Sequence, residues 1–145
     1  MKATAAMVVL IAVLGAAAQD DAAKKDLARI QGTWTMHALE VNGTDVPAAK
    51  LESALLTVKG DRYEVKVKDR VVQAFQLTLH PNKDPKELDM TALDGANKDK
   101  VHKAIYTFEN ELFVFCRGLN PEYERPNQFA TWPGTSYFVV KWKKK

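Results

Sequence analysis

Hydrophobic and polar residues alternate with a period of two in several short segments of the chain. Residues 62–68 show this most clearly, because Tyr63, Val65 and Val67 fall on one face and charged residues fall on the other. Such alternation is typical of a β-strand with one buried face and one face in water. Residues 112–116 are apolar at every position, which predicts cover on both faces or an interface on one of them.

The strand-like segments recur along most of the chain: residues 33–41, 54–59, 62–68, 71–79, 87–92, 101–108, 111–117 and 137–143. Turn dipeptides such as Asn42-Gly43 and Gly60-Asp61 separate them at the spacing of a sandwich or barrel. The helical segments, residues 26–30 and 47–52, are too short for the crossovers of a parallel sheet. The pattern therefore predicts an all-β fold: a small antiparallel up-and-down β-barrel of about eight strands with a short N-terminal helical turn.

The N-terminal residues have the composition of a secretory signal peptide. Lys2 precedes an apolar run, and Ala16-Ala17-Ala18 offers the small residues that signal peptidase reads. The run is shorter than the about 20 residues that span a bilayer, so we expect cleavage after Ala18, export to the periplasm or the extracellular space, and no stable membrane insertion afterwards. The predicted divisions are a signal peptide (1–18), a flexible linker with a short helix (19–29) and a barrel domain (30–145).

Charge and cysteine content narrow the functional class. The 145-residue chain has a formal net charge of +3, and much of the excess lies in its C-terminal lysines, so we do not expect nucleic-acid binding. Cys116 is the only cysteine, which excludes an internal disulfide. Because Cys116 ends the apolar segment 112–116, we expect it to be a buried small hydrophobe rather than a reactive thiol.

The sequence contains no recognisable catalytic or metal-binding pattern. His37, His80 and His102 lie far apart and lack the spacing of a metal site. Neither Ser53 nor Ser136 lies in a nucleophile elbow, and there is no glycine-rich phosphate loop. We therefore predict no enzymatic activity, no metal and no cofactor.

Short motifs occur in a fixed order over residues 30–143. They are Gln31-Gly32-Thr33-Trp34, Val41-Asn42-Gly43 with Val46-Pro47, Lys59-Gly60-Asp61-Arg62-Tyr63, Leu88-Asp89-Met90-Thr91, Asp94-Gly95 with Asn97-Lys98, Ile105-Tyr106, Cys116, Glu124-Arg125-Pro126 with Phe129, and Pro133-Gly134. Together they resemble an uncharacterised lipocalin-like, calycin-type domain family of secreted planctomycete proteins. The resemblance implies a small antiparallel barrel and export, with no known reaction or ligand. Ala104, Trp132 and Trp142 depart from the family pattern, in which a glycine and more polar residues are usual.

The candidates for a ligand site in the barrel interior or at its mouth are Trp34, Tyr63, Phe75, Tyr106, Arg125 and Phe129. We expect Trp34 to be a core anchor, a role that is compatible with lining a cavity. Pro126 holds the backbone of Arg125 extended, and we favour stacking of the Arg125 guanidinium on Trp34. The alternative is that Arg125 lies at the barrel mouth and pairs with the anionic head of a ligand.

The leading functional hypothesis is an exported binding module whose barrel holds a small apolar or amphipathic molecule. The many bulky residues at inward positions leave two outcomes open, a remaining cavity or a barrel filled by side chains. The alternative function is an envelope-associated interaction or structural domain that uses an outer aromatic surface. Trp132, Trp142 and the apolar segment 112–116 motivate this alternative. The sequence predicts neither the identity of a ligand nor the oligomeric state.

Overall fold

The computed structural model describes residues 20–145, and the predicted signal peptide, residues 1–18, lies outside the described residues. A helix covers residues 20–29. The strands that follow are β1 (Gly32–Val41), β2 (Thr44–Asp45), β3 (Ala54–Lys59), β4 (Arg62–Val67), β5 (Arg70–His80), β6 (Glu87–Ala92), β7 (Val101–Glu109), β8 (Leu112–Gly118) and β9 (Tyr137–Lys144), with a short 3-10 helix at Ala48–Lys50.

The strands form a closed antiparallel barrel. β1 and β3–β9 pair in chain order, and β9 returns to pair with β1, from Trp34 opposite Lys144 to Val41 opposite Phe138. The short β2 only extends β1 as a hairpin. This arrangement confirms the predicted fold class, and closure removes the unpaired edges that an open sheet would present.

The start of β1 is defined by Gln31 and Gly32. Gly32 has a φ of +111°, a conformation that glycine adopts far more readily than other residues. The Gln31 side-chain amide donates a hydrogen bond to the Gly60 carbonyl and accepts one from the Gly60 N–H, both at 2.8 Å. These contacts tie the beginning of the barrel to the turn between β3 and β4.

The helix at residues 20–29 covers one end of the barrel, which we name the closed end. Asp26 Oδ2 accepts hydrogen bonds from the Tyr106 hydroxyl at 2.6 Å and from Lys86 Nζ at 2.9 Å. Arg29 lies over the Phe108 ring, with its Cζ 3.9 Å from the ring centroid, and Ile30 is fully buried. The structure thus differs from the flexible linker predicted before residue 26, because docking on the barrel stabilises a helix too short to persist alone.

Aromatic side chains fill the barrel interior next to the closed end. The Trp34 indole donates a hydrogen bond to the Ile30 carbonyl at 2.9 Å. The Phe113 ring centroid lies 6.1 Å from that of Trp34 and 6.4 Å from that of Tyr106, distances typical of aromatic pairs. Trp34 is therefore a core anchor, as its position at the start of β1 predicted.

The connection between β8 and β9, residues 119–136, covers part of the outside of the barrel. Phe129 packs on an outer apolar cluster made by Ile105, Val114, Cys116 and Val139. A Cβ at Gly118 would collide with Tyr123, so the connection stays close to the strands from its first residues. Residues 112–116 are apolar at every position because both faces of β8 are covered, one by the barrel core and the other by this connection.

Candidate functional site

The barrel opens at the end opposite the helix into an apolar cup of about 250 Å³. Its lining residues are Met36, Leu39, Val41, Ala54, Tyr63, Val65, Val67, Val72, Gln73, Phe115, Leu119, Phe138, Val140 and Trp142. Val41, Ala54 and Val67 stand at the strand ends remote from the helix. We refer to this cavity as the cup and to this end of the barrel as the open end.

Period-two alternation along the strands places the cup residues. On β4, Tyr63, Val65 and Val67 all line the cup, and on β9 every second residue from Phe138 to Trp142 does so. The deep wall is inaccessible to solvent, since Tyr63 and Trp142 are each 1% exposed, whereas Val72 at the rim is 50% exposed. The cup therefore has a buried, apolar floor and a solvent-accessible rim.

Arg117 places a charged side chain against this apolar interior. It lies on β8 between Phe115 and Leu119, which both line the cup, so alternation directs its side chain inward. Arg117 is only 3% exposed to solvent. The guanidinium Cζ lies 4.7 Å from the Phe138 ring centroid and 5.3 Å from that of Phe75, which holds it between two aromatic faces.

The hydrogen bonding of Arg117 is incomplete. Its Nη1 donates to the Gly118 carbonyl at 2.9 Å, but its buried Nε has no hydrogen-bond partner within residues 20–145. It also forms no salt bridge with any described carboxylate. Burial lowers the pKa of Arg117 to about 10, partly offset by Tyr63, so the side chain remains a cation at neutral pH. Buried charges in proteins are normally paired, which makes this cation exceptional.

Other unpaired polar nitrogens accompany Arg117 in the interior. Within the described part of the chain, His102 Nδ1 and Trp142 Nε1 are buried and make no hydrogen bond. The His102 ring packs edge-on against Phe75, with 5.2 Å between ring centroids. Burial lowers the pKa of His102, and the positive charge of Arg117 lowers it further, so His102 is neutral at pH 7.

A cleft of about 200 Å³ lies beside the cup, and His102 is one of its lining residues. It shares Val72 and Gln73 with the cup and also includes Phe75 and residues of the β6–β7 loop. Arg117 lines neither space, but its guanidinium contacts Phe138, which lines the cup, and Phe75, which lines the cleft. Burial also raises the pKa of Tyr63 in the cup wall, with the positive charge of Arg117 opposing part of the rise.

The structure separates the residues predicted to form a ligand site. Tyr63 lines the cup, and Phe75 contacts Arg117 beside it. Trp34 and Tyr106 lie in the packed interior, where they hydrogen-bond to Ile30 and Asp26 of the N-terminal segment. Phe129 and Arg125 lie outside the barrel and do not join the other candidates.

The Arg125 guanidinium does not stack on the Trp34 ring, so the predicted partner of Arg125 is wrong. Arg125 Nη1 donates to the Ala104 carbonyl at 2.8 Å, and Nη2 lies 2.7 Å from Asp89 Oδ1. Its Nε lies 3.4 Å from Glu87 Oε1. The cation over the Trp34 ring is Lys144, whose Nζ lies 5.2 Å from the ring centroid. Arg125 therefore ties the long connection to the outer faces of β6 and β7.

Arg117 was not among the site residues predicted from the sequence, although its position in β8 indicates an inward-facing side chain. Arg117 has the same parity as Phe113 and Phe115 in β8, and that parity marks the inward face. Its place at the end of the strand, just before Gly118, favours a charged group that reaches water. The interior position becomes evident only when the facing rings of Phe75 and Phe138 are known.

Trp132 and Trp142, the two tryptophans predicted to form an outer aromatic surface, have different surroundings. Trp142 is 1% exposed and belongs to the core, which corrects the expectation that it adds to an outer aromatic surface. Trp132 is 51% exposed, as expected of such a surface. It borders a groove of about 270 Å³ that also includes Arg125, Pro126 and Tyr137.

Cys116 is fully buried on the outer side of β8 beneath the long connection. Burial raises the pKa of its thiol to about 11, which disfavours a nucleophilic thiolate at neutral pH. Across residues 20–145, no group of three His, Cys, Asp or Glu side chains is arranged to hold a metal ion. In the same residues, no helix is sufficiently long and apolar to cross a membrane.

Comparison of the chain with protein-family models, with curated proteins and with solved structures found no match. The resemblance to the lipocalin-like planctomycete family therefore stays a prediction.

Proposed function

We propose that this barrel is a binding module that holds a small apolar or amphipathic molecule in the cup at its open end. The observation that carries the proposal is the apolar cup of about 250 Å³, walled by buried aromatic residues and open at the rim. Ligand sites are typically concave and mostly apolar, with a few polar groups that fix orientation. The volume of the cup, about 250 Å³, lies just below the usual range for ligand pockets, which begins at about 300 Å³, so the ligand must be small.

The cup is a better candidate than the larger groove at the closed end. That groove, about 400 Å³, lies between the N-terminal helix and the end of β5. Polar side chains such as Asp20, Lys24 and Asn82 form much of its border, and it lacks the buried aromatic walls of the cup. The cup combines low solvent access with apolar side chains, which is the condition under which burial of a ligand is favourable.

Titration with an uncharged solvatochromic dye such as Nile red tests the proposal. We expect saturable fluorescence enhancement with the wild type and at least severalfold weaker binding by Val72→Trp, because the new ring occupies the rim. Val71→Trp is the matched control, since Val71 is a similarly exposed neighbour on β5 that does not line the cup. Equal binding by both variants, or no saturable binding by the wild type, would exclude the cup as the site.

The proposal includes export of the protein to the periplasm or the extracellular space. Its support is the sequence of residues 1–18, in which a lysine and an apolar run precede Ala16-Ala17-Ala18. N-terminal sequencing of the protein recovered from expressing bacterial cells should give Gln19 as the first residue. Recovery of the chain only from the cytoplasm with residues 1–18 attached would contradict export.

A second candidate function is interaction with another macromolecule through the outer surface around Trp132. Its support is the 51% exposure of this large aromatic residue beside a groove. Light scattering on a concentration series of the wild type and Trp132→Ser tests self-association through this surface. Concentration-dependent association that the variant loses would favour this function, and a wild type that is monomeric throughout would count against it.

A further inference from the structure

We propose that the ligand of the cup carries an anionic head group of the carboxylate type, and that Arg117 binds this head group. The inference rests on the proposed function of the cup as a ligand site and adds the chemical class of the ligand. It assigns to Arg117 the polar recognition that the sequence reasoning considered for Arg125.

The charge of Arg117 lies directly behind the cup wall. Arg117 is not itself a lining residue, but it alternates with the lining residues Phe115 and Leu119, and its guanidinium contacts the ring of Phe138 in the cup wall as well as that of Phe75. These rings hold the guanidinium in place through cation–π contacts, which leave its positive charge uncompensated. The fork of N–H donors is thereby oriented before any ligand arrives.

Arg117 also has unused hydrogen-bonding capacity. In the described part of the chain, Arg117 donates to one backbone carbonyl, its Nε has no partner, and no carboxylate pairs with it. An arginine fork matches a carboxylate through two parallel N–H···O bonds. Removing a cation from water without a counter-ion is unfavourable, so a bound anion would compensate the charge.

The surroundings of Arg117 favour a carboxylate over a more highly charged head group. His102, which contacts the same Phe75 ring as Arg117, has an unpaired Nδ1 within residues 20–145 and adds no second positive charge. A single cation balances a monoanion, whereas a phosphate dianion would leave net negative charge buried. The apolar floor of the cup accommodates a short alkyl or aryl chain, so the combined site fits a small amphipathic carboxylate.

The experiment compares octanoate with octan-1-ol at pH 7, because the two probes share a chain length and differ in charge. Calorimetric titration of the full chain should show that the wild type prefers octanoate. In Arg117→Met we expect octanoate affinity to fall by about 10- to 100-fold, the loss expected for hydrogen bonds to a charged group, with little change for octan-1-ol. Arg117→Lys should retain part of the preference for octanoate.

The control is Arg62→Met, since Arg62 lies at the closed end with a largely exposed side chain and should leave both affinities unchanged. If octan-1-ol binds the wild type as tightly as octanoate, or if Arg117→Met keeps its octanoate affinity, the role of Arg117 is overturned while the cup remains a binding site. If neither probe nor the uncharged dye binds the wild type, the proposed function itself fails, and this inference fails with it.

A measurement on the wild type alone keeps the proposal testable if the Arg117 variants do not fold. The Arg117 Nε–H gives a nitrogen-bound proton resonance, and this proton lacks a partner in the structure. We expect octanoate to shift this resonance downfield in proportion to occupancy and octan-1-ol to leave it nearly unchanged. No shift at saturating octanoate would overturn the proposal.

Discussion

Arg117 is held inside the barrel by contacts that orient it without neutralising it. Phe75 and Phe138 flank the guanidinium, and a single carbonyl accepts from it. Contacts with aromatic rings contribute about 0.5–2 kcal/mol each, whereas the desolvation penalty for a buried ion amounts to several kcal/mol. The balance indicates that burial of the Arg117 charge reduces stability, a trade-off that the proposed role in ligand recognition would explain.

Cys116 follows Phe115 on β8 and faces the outside of the barrel, where the pH dependence of stability can test its burial. Burial raises its pKa from 9.0 to about 11, so between these pH values the folded protein keeps a proton that the unfolded chain has lost. The stability from this group is complete below pH 9 and is lost as pH rises to about 11, an effect of about 2–3 kcal/mol. Denaturant unfolding at a series of pH values should show a smaller decline over this range for Cys116→Ala.

Buried tyrosines also lower the free energy of unfolding as the pH rises, and they do so equally in the wild type and in Cys116→Ala. Burial raises the pKa of Tyr63, and for Tyr106 the hydrogen bond to Asp26 and its negative charge add to the rise. The comparison between wild type and Cys116→Ala therefore isolates the thiol. Identical pH dependence of the two proteins would mean that Cys116 is not buried as described.

The connection at residues 119–136 contains no helix or strand, and side-chain contacts attach it to the outside of the barrel. Phe129 anchors it to the outer apolar cluster, and Arg125 anchors it to β6 and β7. The Tyr137 hydroxyl donates to the Glu124 carbonyl at 2.8 Å and closes it against the start of β9. Because the connection covers Cys116 and Val114, its attachment protects the outer face of β8 from water.

Replacement of Arg125 by alanine should loosen this connection. The Leu88 and Ala104 carbonyls would lose their donor and Asp89 its cation, at an expected loss of about 1–3 kcal/mol in unfolding free energy. Hydrogen exchange should become faster in residues 119–136 and stay unchanged in β3 and β4. Arg62→Ala is the control, because its exposed pair with Glu64 should contribute less than about 1 kcal/mol. Unchanged exchange in the connection would refute the anchoring role.

Closure of the barrel joins the first and last strands, so each strand of the barrel has a partner on both sides. Trp142 lies at this closure, paired with Met36 of β1 on one side and with Phe113 of β8 on the other. Its ring is part of the interior core and of the cup wall. A substitution of Trp142 is therefore expected to affect both the packing of the barrel and the proposed ligand site.

Trp142→Ala should reduce the free energy of unfolding by about 3–5 kcal/mol, as expected for a large buried aromatic residue. Small domains are stabilised by only about 5–15 kcal/mol, so the variant should be marginally folded. Trp132→Ala is the matched control, and its effect should stay within about 0.5 kcal/mol because Trp132 is half exposed. Equal losses for the two variants would contradict the placement of Trp142 in the core.

The order of strands, turns and core positions follows from neighbouring residues, and the sequence was sufficient to predict it. Alternation on β4 marks Tyr63 and Val65 as inward, and Asn42 and Gly43 both have the positive φ that their turn dipeptide predicts. Chain closure then follows from the need to remove sheet edges. These features depend on contacts between residues close in sequence or in successive strands.

The partners of side chains distant in sequence were decided only by the tertiary structure. Lys144 rather than Arg125 lies over Trp34, because the path of residues 119–136 carries Arg125 to β6. The volume of the cup depends on all inward side chains together. The two aromatic faces around Arg117, and the lack of a counter-ion for it among residues 20–145, appear only when β5, β8 and β9 are brought together. The sequence therefore determined the barrel, and long-range packing decided where its unpaired charge lies.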